Sequence, residues 1–289
     1  MWKMKKVSDT VHAMRISYVP NHDWKFKILV SSDRHIDSRW SNLSLQKKHL
    51  DKAVKYDWPI IDLGDITDAM QGRKDPRSSR LDMLAAIGED DEYFDSVVDY
   101  TTKFLTPYAK HFALIGLGNH ETSVIRHNGT NLVKRCVNNL NDLGGNVMHG
   151  AYAGWIKLYI EPENGFGTRH GINIRYFHGK GGSAPVTKGV INCSRRGIVY
   201  PDADLIISGH THESFVFPIT RSRISKQGTC FKDEQLHVQI PSYKDELIGK
   251  SSGFAVEKEF APTPEGAYWI KFYYERSTDK IRYDAVRAL

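Results

Sequence analysis

Apolar runs that stop abruptly at polar residues recur along this chain. Lys25-Phe26-Lys27-Ile28-Leu29-Val30 alternates, turns fully apolar and meets Ser31-Ser32-Asp33-Arg34-His35. Pro59-Ile60-Ile61-Asp62-Leu63 closes on Gly64-Asp65-Ile66-Thr67-Asp68, and His111-Phe112-Ala113-Leu114-Ile115-Gly116-Leu117 stops at Gly118-Asn119-His120-Glu121. Such runs predict buried parallel strands, each presenting reactive side chains at its carboxyl end. Between the first two, the spacing of Leu43, Leu50, Ala53 and Val54 predicts a helix over 43–56 that returns the chain to a parallel neighbour. Further helices are predicted at Leu81–Gly88, at Glu92–Tyr108 and over 130–143, the last ended by Gly144-Gly145. Met70–Arg80 is polar and basic and reads as a surface loop.

Strands dominate the second half: Ala153–Glu161, Gly171–Phe177, Asp204–Ser208, Leu236–Ile240, Ala267–Glu275 and Ile281–Val286 all fit, several by strict alternation. Residues 1–24 read as an extension preceding the core fold, with one short strand at Arg15–Val19 before Pro20 and Asn21; an arm swapped to a partner subunit is one use for such a segment. Helices alternating with strands and then giving way to them suggest an α/β sandwich, two sheets packed together with helices outside. Residues 25–289 are expected to form a single domain with a helical insertion at about 70–108 and a β-rich C-terminal part.

Composition narrows the function classes. With 40% hydrophobic and 26% charged residues over 289 positions, the chain can bury a full core. Its net charge of +6 suits an anionic partner, nucleic acid or a phosphorylated substrate, and equally an ordinary soluble surface. Three cysteines without CxxC spacing argue for a reducing compartment and against a disulfide framework or a thiolate zinc site. No stretch is long enough to span a bilayer, and no apolar segment follows Met1–Lys6, so a soluble cytoplasmic protein is expected.

The residues at the strand ends carry the chemistry. They are Asp33 and His35; Asp65 and Asp68; Asn119 and His120; His178 after Ile172–Phe177; and His210 and His212 after Leu205–Gly209. Carboxyl ends of adjacent strands meet at one sheet edge, where residues distant in sequence converge. Carboxylate, amide and imidazole donors without thiolate suit Mn, Fe, Ni or Zn in a catalytic role. Their number points to two ions, which together can activate a water and clamp a phosphoryl group. The i, i+2 spacing of Asp33 with His35, and of His210 with His212, at the end of an extended segment points each pair to one side. By itself Asp65-x-x-Asp68 reads as readily as a turn or helix cap. His178 is favoured over His149 because it follows a stronger strand, with His170 behind both.

In this order, Asp33-x-His35, Gly64-Asp65-x-x-Asp68, Gly118-Asn119-His120-Glu121, His178 and Gly209-His210-Thr211-His212 resemble the five motifs of the calcineurin-like metallophosphoesterases, over roughly residues 26–215. The resemblance implies a four-layered α/β/β/α sandwich with a binuclear site. Asp33, His35 and His212 would hold one ion, Asn119, His178 and His210 the other, and Asp65 would bridge them, manganese being the first choice of metal. His120 would be the acid beside the leaving group, with Asp68 orienting it or keeping it protonated. Glu121 reads as support, not as a catalytic group. The implied reaction is attack of a metal-bridging hydroxide on a phosphate ester.

The basic balance and a likeness to the DNA-repair-nuclease and phage-encoded branches favour nucleic-acid phosphodiesters, DNA or RNA, and a host-cytoplasm location if the chain is virus-encoded. Phosphomonoesters of proteins or small molecules, and a non-catalytic metal-binding scaffold, are the alternatives. Lys180 in Gly179-Lys180-Gly181-Gly182-Ser183 and the pair Arg195-Arg196 are candidate substrate contacts. Arg221, Arg223, Lys226 and Lys232 form a further basic group, with Tyr200 and Phe215 available to stack on bases.

Overall fold

The computed structural model describes residues 2–21, 23–70, 84, 86–87, 92–165, 167–182, 186–245, 247, 254–257, 259 and 261–289. Among the described residues thirteen strands form two mixed sheets. The six-stranded sheet runs β13 (Lys280–Ala288), β12 (Ala267–Glu275), β3 (Lys25–Ser31), β4 (Ile60–Asp62), β5 (Phe112–Ile115), β6 (Met148–His149). The seven-stranded sheet runs β1 (Trp2–Lys6), β2 (Val11–Tyr18), β7 (Ala153–Pro162), β8 (His170–Phe177), β9 (Leu205–Ser208), β11 (Cys230–Gln239), β10 (Phe215–Ile224). Strands β3, β4, β5 and β6 are mutually parallel, as are β8, β9 and β11.

The core lies between the sheets. Ile28, Val30, Ile61, Leu114 and Ile270 of the smaller sheet pack against Met14, Ile156, Ile174, Leu205 and Val238 of the larger one. Each such side chain, moved from water to the interior, contributes on the order of 1.5–3 kcal/mol. A second cluster joins the other face of the smaller sheet (Leu29, Ile60, Phe112, Trp269) to helices α1 (Leu43–Lys55), α2 (Tyr93–Leu105) and α4 (Leu132–Asp142). Asn42 and Asn131 begin α1 and α4 by accepting from the Leu45 and Lys134 amides. The outer face of the larger sheet carries α5 (Ile191–Val199), whose Gly197 approaches Gln235 and Ile219.

The structure differs from the sequence reading in several places. Residues 2–18 are two strands woven into the larger sheet, where an extension with one short strand was expected; β2 pairs with β7 of the same chain. Met4, Met14, Ile16 and Tyr18 enter the core at alternate positions, and the lysines and arginine between them conceal the pattern. Strand β10 was missed because Pro218 argues against a strand; β10 is an edge strand, where proline is tolerated. The helix predicted at Glu92–Tyr108 ends at Leu105 and tightens into a 3-10 turn over Thr106–His111, with Pro107 at its start. The helix predicted at Leu81–Gly88 and most of the Met70–Arg80 loop lie outside the described residues. No described helix is long and apolar enough to cross a membrane.

Candidate metal centre and active site

Five strands end at one edge of the sandwich, and each hands over the chain there. Strands β3, β4 and β5 of the smaller sheet lead to Asp33 and His35, to Asp65 and Asp68, and to Asn119 and His120 at the start of α3 (Asn119–Asn128). Strands β8 and β9 of the larger sheet lead to His178 and to His210 and His212. The crossing is tight: a Cβ on Gly118 would lie 2.0 Å from Asp65 Oδ1, and one on Gly64 2.3 Å from the Gly118 nitrogen. Only glycine admits that approach.

The i, i+2 pairs do not sit in extended backbone, as their spacing suggested. Asp33 (φ 54°), His35 (45°), His210 (73°) and His212 (58°) all take the left-handed region, and so does Asp65 (52°). Residues with a Cβ adopt it at a cost of about 1–2 kcal/mol each. Strain gathered on one group of polar residues marks a functional site.

Two disjoint triads of donor atoms result. Asp33, His35 and His212 place one ligand atom each within 4.8 Å of one another, and so do Asp65, His178 and His210. His178 Nε2 lies 3.1 Å from Asn119 Oδ1 and 3.2 Å from Asp65 Oδ2, and is 3.9 Å from Asp33 Oδ1 across the gap between the triads. A third grouping, His35, Asp68 and His120, competes with the first for His35. Lys244 Nζ stands 2.8 Å from Asp68 Oδ1, so a cation in that third position would face an ammonium. Asp33 Oδ1 and His35 Nε2 are buried without a hydrogen-bond partner. Orphaned donors of this kind, with oxygen and nitrogen but no sulfur, fit divalent cations. His149 lies on β6, 3.4 Å from Asn131 Nδ2, and takes no part in either triad. His170, at the opposite end of β8 from His178, packs on Tyr18.

His120 Nδ1 meets the backbone carbonyl of Asp68 at 2.6 Å, whereas the Asp68 carboxylate engages His35 Nδ1 (3.0 Å) and Lys244. Asp68 therefore orients His120 through its main chain. Burial disfavours the imidazolium of His120, but Asp65 and then Asp68 outweigh it and raise its pKa. For His178 the same contest, won by Asp65 and Asp33, ends at about 10. Burial works against ionisation of Asp65 too, yet the imidazoles of His178 and His120 hold its carboxyl well below the usual range.

Sequence reasoning read Glu121 as support and passed over the other groups that hold this edge in place. Glu121, fully buried, accepts from the amides of Gly118 (2.8 Å), Asp65 (3.0 Å) and Thr67 (3.1 Å) and from the Thr67 hydroxyl, fastening the β4 and β5 turns together. Burial and the nearby Asp65 push its carboxyl up to about 7. Asp37 accepts from the amides of Asp68 and Ala69. Beneath the site Arg34 forms a wholly buried pair with Asp62 at 2.7 Å, completed by Gln46 and Ser31. Lys244 follows β11 by five residues; the rule that flagged the other strand ends, applied to Pro241-Ser242-Tyr243-Lys244, would have found it.

Of the substrate-contact candidates, Lys180 and Arg195 are exposed, while Arg196 turns to the Ser208 hydroxyl (2.7 Å) and packs over Phe177. Arg221 and Arg223 pair with Asp233 on their own hairpin, which removes part of that basic group from service.

No family model and no curated protein matches this chain. Among solved structures it is similar to GAP50, described as the anchor in the inner membrane complex of Plasmodium, at 10% identity and a TM-score of 0.44, covering 91% of this chain and 85% of that one. It is also similar to a zinc-complexed Vps29 from Entamoeba histolytica, at 12% identity and a TM-score of 0.36 over 91% and 100% of the two chains. The calcineurin-like phosphoesterase YfkN of Bacillus subtilis gives 12% and 0.33 over 91% and 90%. Likeness this distant leaves the functional reading to rest on the chain's own residues.

Proposed function

We propose that this chain is a metal-dependent phosphoesterase of the calcineurin-like type, acting on nucleic-acid phosphodiesters. The observation that carries the reading is the pair of strained carboxylate–imidazole triads at one sandwich edge, with orphaned donors and with His120 beside them. Asp33, His35 and His212 would hold one divalent ion and Asn119, His178 and His210 a second, with Asp65 the carboxylate they would share. Bound there, the ions supply Lewis-acid polarisation of a phosphoryl oxygen and a nucleophile at neutral pH. The protein's own part is positioning and proton transfer. His120, its Nδ1 engaged by the Asp68 carbonyl, keeps Nε2 toward the site, 3.8 Å from Asp65 Oδ2, and donates from it to the departing alkoxide. The placement of that imidazole favours an enzyme over a binding scaffold, which has no use for a leaving-group acid.

The test is hydrolysis by purified protein with Mn²⁺ of bis(p-nitrophenyl) phosphate and of the corresponding monoester. Turnover of the diester is expected. Inertness toward both sinks the phosphoesterase reading, and activity on the monoester alone sinks its nucleic-acid form.

A further inference from the structure

Among the described residues, no helix covers half of the outer face of the larger sheet. α5 lies over β9, β10 and β11, and strands β1, β2, β7 and β8 extend beyond it. On those strands Met4, Met14, Leu158 and Ile172 point into the core, so the alternate residues point out. The register sets them in rows: Lys3 beside Arg15 beside Tyr159, Lys5 beside Ala13 beside Lys157, and Val11 beside Trp155 beside Arg175. Lys3, Lys5 and Arg15 are exposed, and the rings of Trp155 and Tyr159 are half-buried. Arg15 stacks 4.7 Å from Tyr159, and Arg175 lies over both Trp155 (5.5 Å) and Tyr200 (4.7 Å), its Nε without a hydrogen-bond partner. Strands β1, β2 and β8 carry no acidic residue. Acidic groups around it include Glu161, paired with Arg15 at 2.6 Å, Asp9, paired with Lys6 in the β1–β2 turn, Asp204, accepting from the Asn173 amide, and Asp202, at the rim of a shallow depression beside Trp155.

We propose that this face is a docking platform for a single strand of nucleic acid, its phosphates on Lys3, Lys5, Lys157 and Arg175 and its bases on the rings of Tyr159 and Trp155. Cations on neighbouring strands stand about 5 Å apart and those on alternate residues about 7 Å apart, the scale of successive nucleotides in an extended strand. Aromatic rings between such cations accept any base by stacking. A duplex keeps its base faces covered and gains nothing from the rings. The platform also runs toward the site: two residues past Arg175 on the same face is Phe177, under Arg196, and the next residue is His178. The proposal deepens the phosphoesterase reading and rests on it only for what happens to the strand once held.

The experiment is fluorescence anisotropy of a labelled twenty-nucleotide oligothymidylate with the full chain in EDTA, so that binding is read without catalysis. Wild-type protein is expected to bind, with affinity falling steeply as salt rises. Tyr159→Ala should weaken binding about 5-fold or more, in line with the loss of one stacked base. The double change Lys5→Glu with Lys157→Glu should weaken it at least tenfold, and a duplex of equal length should show no response to Tyr159→Ala. These outward positions leave the core and the metal ligands untouched, so diester hydrolysis with Mn²⁺ and the melting temperature should stay at wild-type values. If Tyr159→Ala proves unstable, the lysine pair carries the test. Absence of binding, or binding indifferent to both variants, overturns the platform. An acidic peptide that displaces the oligonucleotide at equal charge concentration overturns it in favour of a protein partner. A chain that binds the strand yet hydrolyses no phosphate ester keeps the platform and loses the phosphoesterase.

Discussion

The two sheets bring opposite chemistry to the site. The smaller one delivers all the carboxylates, Asp33, Asp65 and Asp68, and most of their support: the Glu121 clasp, the Asp37 amide contacts and the buried Arg34–Asp62 pair, with Lys244 reaching Asp68 from the segment after β11 of the larger sheet. The larger one delivers only imidazoles, His178, His210 and His212, and supports them sparsely, with His178 Nδ1 resting 3.2 Å from the Leu63 carbonyl. The contrast follows from solvation. An ionised carboxylate taken from water costs several kcal/mol unless charges and amides replace the lost water, whereas an imidazole can be buried neutral with one or two partners, the direction in which burial pushes His210; His178 keeps its charge against Asp65 and Asp33. Each of the two disjoint triads draws on both sheets.

That division can be broken most severely at its seam. Asp65→Asn should cut diester hydrolysis by about a thousandfold or more and abolish uptake of both Mn²⁺ ions, because it removes the carboxylate proposed to be shared between them; retention of two metal equivalents by elemental analysis would contradict the shared role. His120→Ala should lower turnover by about 10²–10⁴-fold while both ions remain bound. Loss of metal in that variant would make His120 a ligand. Glu121→Ala strips the acceptor from four donors and should destabilise the chain by about 3 kcal/mol, read as a melting temperature lower by roughly 5–10 °C. The corresponding change on the imidazole side, His212→Ala, should leave the metal-free melting temperature within about 2 °C of wild type.

The smallest expected effect is a pH dependence on the carboxylate side. His49 of α1, held to Tyr243 at 2.8 Å, has its pKa lowered to about 4, by burial first and then by Arg34 and Lys48. The unfolded chain binds this proton more readily, so stability is complete above pH 6.5 and declines as the pH falls from there toward 4. Melting temperatures across that window should show a shallower decline in His49→Gln; an unchanged slope would remove His49 from the account.

The strand-end residues were visible in the sequence because each follows a short apolar run, and that signal is local. What escaped was set by pairing across distance. Arg34 and Asp62 look like ordinary charges until β3 and β4 lie side by side, and Lys244 meets Asp68 across 176 residues. Strands β1 and β2 escaped for a different reason: half of their positions face out and carry charge, which dilutes the apolar alternation. The pattern of strands favoured His178 over His149; β8 and β6 belong to different sheets, and β8 ends beside Asn119.

The left-handed backbone at Asp33, His35, Asp65, His210 and His212 gives this edge a trade between function and durability. Glycine at any of these positions would relieve the local strain while deleting a ligand. A metal-free chain carrying His212→Gly should therefore unfold at a higher temperature than the metal-free wild type, and the order should reverse once Mn²⁺ is added, since only the wild type keeps the complete ligand set. Under metal starvation, the intact site is the part of the molecule that works against its own folding.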